Sequence, residues 1–202
     1  MRKLALLAPV CAFLFFAQFA SAQQVDAFIG GGTLLSTSDS NSLYPPERGG
    51  LYINVGGDVV FYKHLGVNIE TAWRATQGVY NYGGSASGEN YRPILTDFNL
   101  LWQPHLGHRL GADLMAGIGS ADARIYEQGV SCSQCYNSSD HFMEHLGAGI
   151  RFYPWQHLFI RPEVHYYHIQ DNNSGLNDNG LFSTNNVIRV GASVGYTFGG
   201  KD

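Results

Sequence analysis

Two cysteines and two histidines in the second half of the chain have a spacing that could support metal or thiol chemistry. Cys132 and Cys135 are followed by His141 and His145, in the pattern Cys-x2-Cys-x5-His-x3-His. Four nitrogen and sulfur ligands suit zinc, but histidines four residues apart on a strand lie well separated. We therefore favour a local disulfide between Cys132 and Cys135, as in exported proteins, with zinc and free or intermolecular thiols as the alternatives.

His168 is a second candidate for chemistry, in the stretch YYHIQDNNSGLNDNG over residues 166–180. This stretch resembles the strand-end region of the lipid A deacylases, eight-stranded barrels with a His-x-Ser pair, and the resemblance makes His168 the counterpart of their base. The nucleophile position holds Gln170, which cannot attack an ester, and Ser174 lies too far along the chain to replace it. We therefore predict no catalytic residue, and we interpret His168 as a rim residue.

A third group consists of charged residues that recur at alternate positions within apolar segments. Five acids and four arginines are nearly balanced, as charges enclosed in a polar core must be if they are to be paired. We predict that they form one charge network in the interior of the protein. The nine residues are Asp58, Glu70, Arg74, Asp97, Asp113, Arg151, Arg161, Glu163 and Arg189.

The segments that carry these charges alternate with the period of a β-strand. In VIRVGASVGYTF, residues 187–198, every even-numbered residue from 188 onward is apolar, whereas the odd positions hold Arg189 and then glycine, serine and threonine. The chain contains eight such segments, and we expect a strand in each. They span residues 25–30, 51–62, 67–74, 94–102, 110–118, 145–153, 158–167 and 187–198.

The connections between these segments alternate between short and long. Long polar connections follow the first, third, fifth and seventh segments, at residues 36–49, 75–90, 120–140 and 171–185. Short periplasmic turns, longer extracellular loops and an even strand number are typical of outer-membrane barrels. We therefore predict an all-β fold, an eight-stranded antiparallel up-and-down transmembrane β-barrel. The alternative is a soluble barrel of lipocalin type, in which the apolar parity would face inward.

In the transmembrane interpretation the apolar parity faces lipid, and the charged parity fills a lumen that is just wide enough for side chains. Inward-pointing Tyr62, Phe159 and Tyr167 are expected to obstruct any ion path. Aromatic residues near the strand ends are expected to form interfacial girdles. These are Phe61, Trp73, Phe98, Trp102, Phe152, Trp155, Tyr166 and Phe198.

The segments resemble the OmpA/OmpX-type outer-membrane β-barrel domain family. The final strand VIRVGASVGYTF carries the resemblance, and LGAGIRFYPWQHLFIRPEVHYY, residues 146–167, is similar to the sixth and seventh strands of such barrels. The resemblance implies that Phe198 is the last-strand aromatic residue that the barrel-assembly machinery reads. It also implies that outer-membrane lipid surrounds the protein.

The amino terminus, MRKLALLAPVCAFLFFAQFASA, has two basic residues, an apolar run and a small-x-small site. It predicts a cleaved Sec signal peptide over residues 1–22, followed by a barrel over residues 23–202. Loss of Arg2 and Lys3 leaves ten basic against sixteen acidic residues, which argues against nucleic acid as a partner.

Taken together, these patterns predict a non-enzymatic integral outer-membrane protein with no cofactor. Its lumen is filled, and it acts through its extracellular loops in surface interaction or envelope integrity. The alternatives are a lipid A deacylase-like enzyme that uses His168, and a small pore.

Overall fold

A computed structural model describes residues 24–36, 49–80, 89–126, 136–170 and 186–199. The strands are β1 (Gln24–Ser36), β2 (Tyr52–Tyr62), β3 (Leu65–Arg74), β4 (Gly78–Tyr80), β5 (Glu89–Trp102), β6 (Leu110–Tyr126), β7 (Tyr136–Phe152), β8 (Leu158–Ile169) and β9 (Asn186–Phe198). The predicted signal peptide lies outside the described residues. No helix in the described ranges is long and apolar enough to span a membrane.

The strands form a single closed antiparallel sheet. Each strand pairs with the next one along the chain except β3, which pairs with β5 instead of β4, and β1 pairs with β9 to close the sheet. The three-residue strand β4 also pairs with β5, just beyond the end of β3, so β3 and β4 together make one interrupted strand of the barrel. The prediction of an eight-stranded barrel is therefore confirmed. Closure satisfies backbone hydrogen bonds that an open edge would leave unpaired.

The apolar parity of each strand faces outward, as the transmembrane interpretation requires. Val194 is 46% exposed, whereas Arg189 and Glu163 are 1% and 6% exposed. The same pattern holds along β8, where residues alternate between buried and exposed from Phe159 to Tyr167. The soluble-barrel alternative, in which Val194 would be buried and Arg189 exposed, is wrong.

Inward glycines provide space for the large side chains that fill the lumen. A Cβ atom on Gly195 would lie 2.2 Å from the ring of Phe159, and one on Gly56 would lie 2.4 Å from the ring of Phe28. Both rings are buried. The inward-facing glycines therefore leave room for a few inward-facing aromatic rings, and the two together produce a packed interior.

Strands β6 and β7 extend furthest beyond their predicted ranges. Residues 120–140 were expected to be a connection, but β6 continues to Tyr126 and β7 begins at Tyr136, with these two residues paired. The segment 119–126, GSADARIY, lacks an apolar outward row. A strand that projects beyond the hydrocarbon needs no apolar face, so its sequence carries no alternating signal.

The prediction that Tyr62 points into the lumen is wrong. Phe159 and Tyr167 are buried as expected, but Tyr62 is 56% exposed. The register between β2 and β3 shifts between Val60 and Tyr62, and Lys63 in the following turn has a φ of 49°. This irregularity ends the alternation one residue before Tyr62 and turns its ring away from the interior.

Candidate functional site

The half of the lumen that lies nearer the short turns contains a cluster of three carboxylates around Arg151. The Arg151 guanidinium donates from Nε to Asp113 Oδ2 at 2.6 Å, and its two Nη atoms donate to Asp26 and Asp58. Arg161 Nη1 lies 3.1 Å from Asp113 Oδ2 and 3.4 Å from Asp58 Oδ2. The five side chains come from β1, β2, β6, β7 and β8, so this cluster links five strands across the interior.

Both guanidiniums of this cluster also stack against aromatic rings. The Cζ atom of Arg151 lies 4.3 Å from the ring centroid of Phe159, and that of Arg161 lies 4.1 Å from the centroid of Phe28. All four side chains are buried. The planar guanidinium is suited to such sites because it can bond carboxylates along its edge and pack an aromatic ring against its face.

A second cluster surrounds Glu163 and lies closer to the long connections. Arg161 Nε and Ser193 Oγ donate to Glu163 Oε2 at 2.8 and 3.1 Å, and Asn54 Nδ2 donates to Oε1 at 3.1 Å. Arg189 donates to Glu70 and lies 3.5 Å from Glu163 Oε1. Because Arg161 contacts carboxylates of both clusters, the two form one continuous network.

Eight of the nine predicted network residues are buried inside the barrel, but Arg74 lies apart. It is the last residue of β3 and is only half-buried. Its Nη1 donates to the hydroxyl of Tyr91 at 2.7 Å, and its guanidinium lies over the same ring. Within the described ranges Arg74 forms no ion pair with a carboxylate, because it sits at the outer mouth, beyond the level of the inward acids.

The sequence reasoning missed Asp26 and several neutral polar groups of the lumen. Asp26 alternates with the apolar residues of the first segment, so its parity alone could have identified it. A line of hydrogen bonds connects Asp58 to His165. Asn68 donates to Asp58 Oδ1 at 2.6 Å, Asn99 donates to Asn68 Oδ1 at 2.7 Å, His145 Nδ1 bonds Asn99 Oδ1 at 2.6 Å, and His145 Nε2 bonds His165 Nδ1 at 2.9 Å.

An apolar layer separates this network from the long connections. Its members are fully or almost fully buried and come from seven of the nine strands. This layer, the apolar plug, fills the lumen between the charges and the long connections. It consists of Leu34, Tyr52, Leu95, Ala121, Met143, Tyr167, Ile169 and Val187.

The cysteines Cys132 and Cys135 lie outside the described residues, so the disulfide stays a prediction. His141 and His145 are both buried within the lumen. Both ring nitrogens of His145 are engaged there, by Asn99 and His165. His145 therefore has no free nitrogen to act as a ligand in the alternative four-ligand zinc site.

His168 lies on the outer wall, in a hollow of about 390 Å³ between β6, β7 and β8. It is the direct cross-strand partner of Glu144, and its Nδ1 lies 3.0 Å from Asn186 Oδ1, which also accepts from the hydroxyl of Tyr166 at 2.6 Å. The described residues that line the hollow include no serine or cysteine. The hollow thus contains a histidine and a carboxylate without the nucleophile that ester hydrolysis of the Ser-His type needs.

The sequence matches the outer membrane protein beta-barrel domain family over residues 6–199. The chain belongs to this outer-membrane β-barrel family. The match covers nearly the whole sequence and agrees with the closed barrel and its apolar outer parity. The protein is therefore an outer-membrane barrel, with Val194 and the other apolar outward residues facing lipid. A comparison with curated proteins finds no match.

Solved structures of outer-membrane barrels have the same fold as this barrel. Ail, the attachment invasion locus protein of Yersinia pestis, is 15% identical with a TM-score of 0.57, and the alignment covers 87% of this chain and 98% of Ail. Neisserial surface protein A is 10% identical with a TM-score of 0.58, over 87% and 96% of the two chains. A major outer membrane protein of Thermus thermophilus is 13% identical with a TM-score of 0.60, over 87% and 99%.

Proposed function

We propose that this outer-membrane barrel is a closed, non-enzymatic scaffold that acts through the segments connecting its strands at the outer surface, in surface interaction or envelope integrity. The observation that carries the proposal is the filled lumen. The apolar plug lies directly above a network in which Arg151, Arg161 and Arg189 are buried among carboxylates. A barrel with such an interior offers no water-filled path, so its variable chemistry resides in the connections.

The small-pore alternative is tested by conductance. We expect no steady channels when the refolded protein is reconstituted in a planar lipid bilayer. Insertion is verified on the same sample by faster migration of the unheated protein than of the boiled protein on a gel. Steady single channels whose conductance rises with salt would contradict a closed lumen.

The charge of the outer connections indicates which ligands they suit. Segments 37–48, 81–88, 127–135 and 171–185 contain five acids and one arginine. Ail has been crystallised with sucrose octasulfate, a heparin analogue, which is a polyanion. An acidic surface repels polyanions, so we propose a neutral or cationic surface ligand for this barrel. The charged residues are Asp39, Glu47, Arg48, Glu127, Asp171 and Asp178.

Replacement of the connections tests this proposal. In cells that lack the native protein, the wild-type chain is compared with a variant whose residues 171–185 are replaced by a Gly/Ser linker of equal length. The readouts are detergent resistance and adhesion to surfaces coated with polylysine, dextran or heparin. We expect the variant to assemble in the membrane. It should lose at least one of two properties, either adhesion to polylysine or dextran, or detergent resistance. Full restoration of both readouts, or adhesion to heparin alone, would contradict the proposal.

A lipid A deacylase-like enzyme is the second candidate, because His168 and Glu144 are adjacent on the outer wall of the barrel. Its weakness is the absence of a serine or cysteine nucleophile among the described residues that line the hollow. Radiolabelled lipid A incubated with the refolded protein is expected to release no fatty acid. Acyl release that disappears in His168→Ala would replace the scaffold proposal with the enzyme.

We further propose that the Sec pathway exports the chain and that signal cleavage precedes Gln23, which an intact mass of the mature protein measures. The partners in this proposal are outer-membrane lipid and, through Phe198 at the end of β9, the barrel-assembly machinery. A mature mass that retains residues 1–22 would contradict cleavage.

A further inference from the structure

The line of hydrogen bonds in the lumen determines which nitrogens of its two histidines carry protons. Asn99 Nδ2 donates to Asp97 Oδ1, so the amide must present its Oδ1 to His145. His145 Nδ1 is therefore a donor, and in a neutral ring its Nε2 is an acceptor. His165 Nδ1 donates to that nitrogen, which leaves His165 Nε2 with a free lone pair.

This lone pair faces two carboxylates rather than a donor. His165 Nε2 lies 3.6 Å from Glu163 Oε1. Ligand atoms of Glu70, Glu163 and His165 all lie within 4.8 Å of one another. Glu70 Oε2 and His165 Nε2 are buried without a hydrogen-bond partner, and Arg161 Nη2 is 3.8 Å from Glu70 Oε2, beyond hydrogen-bond distance. Buried acceptors that converge without a donor require an explanation.

The charge balance of the interior also indicates that a positive charge is missing near these carboxylates. If every buried carboxyl group were ionised and the imidazoles were neutral, the six carboxylates and three guanidiniums described would leave an excess of three negative charges. Glu70 and Asp97 are direct cross-strand partners on β3 and β5, an arrangement that destabilises a sheet when both are ionised. Buried charges are retained only when they are compensated. The six acids are Asp26, Asp58, Glu70, Asp97, Asp113 and Glu163, and the guanidiniums belong to Arg151, Arg161 and Arg189.

We propose that the lumen binds one divalent cation between His165 Nε2, Glu163 and Glu70. One imidazole nitrogen and two carboxylate oxygens form a ligand set that suits Zn²⁺. Arg189 bonds Glu70 through Oε1, and Arg161 Nε bonds Glu163 through Oε2, so each carboxylate retains its other oxygen for the cation. Glu163 Oε1 also accepts from Asn54 Nδ2 at 3.1 Å and, over a longer distance of 3.5 Å, from Arg189 Nη2, so the cation would replace the weaker of these two contacts.

The surrounding groups hold the proposed ligands in place. His145 Nε2 accepts from His165 Nδ1 and so fixes the orientation of the His165 ring. Hydrogen-bond partners outside the ligand set play this role for metal-bound histidines. Residues on β3 and β8 supply the ligands, and the neighbouring strands β5, β7 and β9 supply Asp97, His145 and Arg189 around them. The dication would reduce the excess negative charge of the described interior from three to one.

The experiment measures zinc retained by the full chain after refolding in detergent. The background is Cys132→Ser/Cys135→Ser, which removes the only thiols of the mature chain as predicted. Protein refolded with ZnCl2 is dialysed against a weak chelator, checked by gel mobility before and after boiling, and analysed by mass spectrometry for metal. We expect about one zinc per chain, at least a tenfold loss in His165→Gln and in Glu70→Gln, and full retention in the outer-wall control His168→Gln.

Two outcomes overturn the proposal. In the first, the folded protein retains no zinc, or His165→Gln retains as much as its parent. In the second, long-range ¹⁵N spectra show His165 protonated on both nitrogens and unchanged by zinc, so that a proton occupies the position. If the variants fail to fold, X-ray absorption on zinc-loaded protein with its native cysteines decides: one imidazole with oxygen ligands supports the proposal, and sulfur ligation contradicts it.

Discussion

Arg151→Met is expected to destabilise the barrel strongly, because it removes a buried cation that three carboxylates share. Asp58 and Asp113 retain Arg161 at 3.4 and 3.1 Å. Among the side chains that the structure describes, Asp26 retains the amide of Gln24, whose Nε2 lies 2.8 Å from Oδ2 and 3.0 Å from Oδ1. The loss therefore falls mainly on Asp26, as an uncompensated buried charge.

The magnitude follows from this geometry. Breaking a buried ion pair by removing one partner costs about 3–5 kcal/mol. Three bonds to charged groups at about 1.5–3 kcal/mol each would suggest more, but they share one guanidinium and are not additive. The double variant Arg151→Met/Asp26→Asn should recover about 1–3 kcal/mol of the free energy of unfolding that Arg151→Met loses, since it also removes the carboxylate that has no other cation.

Arg124→Met is the matched control. Arg124 pairs with Asp122 at 3.0 Å on the projecting part of β6, where the two side chains are 36% and 16% exposed. Solvent-exposed pairs contribute about 0–1 kcal/mol. All proteins are unfolded by urea in phospholipid vesicles and followed by tryptophan fluorescence. A loss below about 1 kcal/mol for Arg151→Met, or an equal loss for Arg124→Met, would refute the reasoning.

The other predictions concern glycine, lipid contact and assembly. Gly117→Ala places a Cβ 2.1 Å from a backbone carbonyl oxygen of β5, whereas a Cβ on Gly107 meets nothing within 4 Å. In urea unfolding, Gly117→Ala should therefore lower the free energy of unfolding by about 1–3 kcal/mol, and Gly107→Ala should not change it measurably. Val164→Arg, on the lipid face of β8, should cost about 2–4 kcal/mol in vesicles if Val164 lies near the midplane, and Val164→Leu should not. Phe198→Ala should reduce the fraction of chain with heat-modifiable mobility in outer membranes more than Phe152→Ala does; equal reductions would argue against recognition of the last strand.

The orientation of the strands could be predicted from sequence because the membrane constrains each residue locally. A side chain in hydrocarbon must be apolar, so Ile188 and Arg189 point to opposite sides regardless of what surrounds them. The same constraint explains why the predicted ends of β6 and β7 and the predicted orientation of Tyr62 are wrong. It does not apply to the projecting parts of β6 and β7, where residues such as Ala121 and Ala123 are buried without any apolar outer row, and it ends at the shifted register before Tyr62.

Parity also identifies inward residues without identifying their partners. Arg151 and Asp26 are 125 residues apart, and Asn54 and Glu163 are 109 apart. Which of them meet depends on the height of each residue along the barrel axis, and therefore on the stagger between strands that closure imposes. Arg74 has the right parity and lies at the wrong height, so its partner is Tyr91 rather than a carboxylate.

The sequence by itself determined that this chain forms a barrel with an apolar outer wall and a charged, glycine-rich interior, because alternation is a property of neighbouring residues along one strand. Only the tertiary structure decided that the interior divides into an apolar plug and a single ionic network, and that His165, Glu163 and Glu70 converge there with His165 Nε2 and Glu70 Oε2 unpartnered. Those relations join strands that are distant in the chain, and they arise when the sheet closes around side chains of matching size and charge.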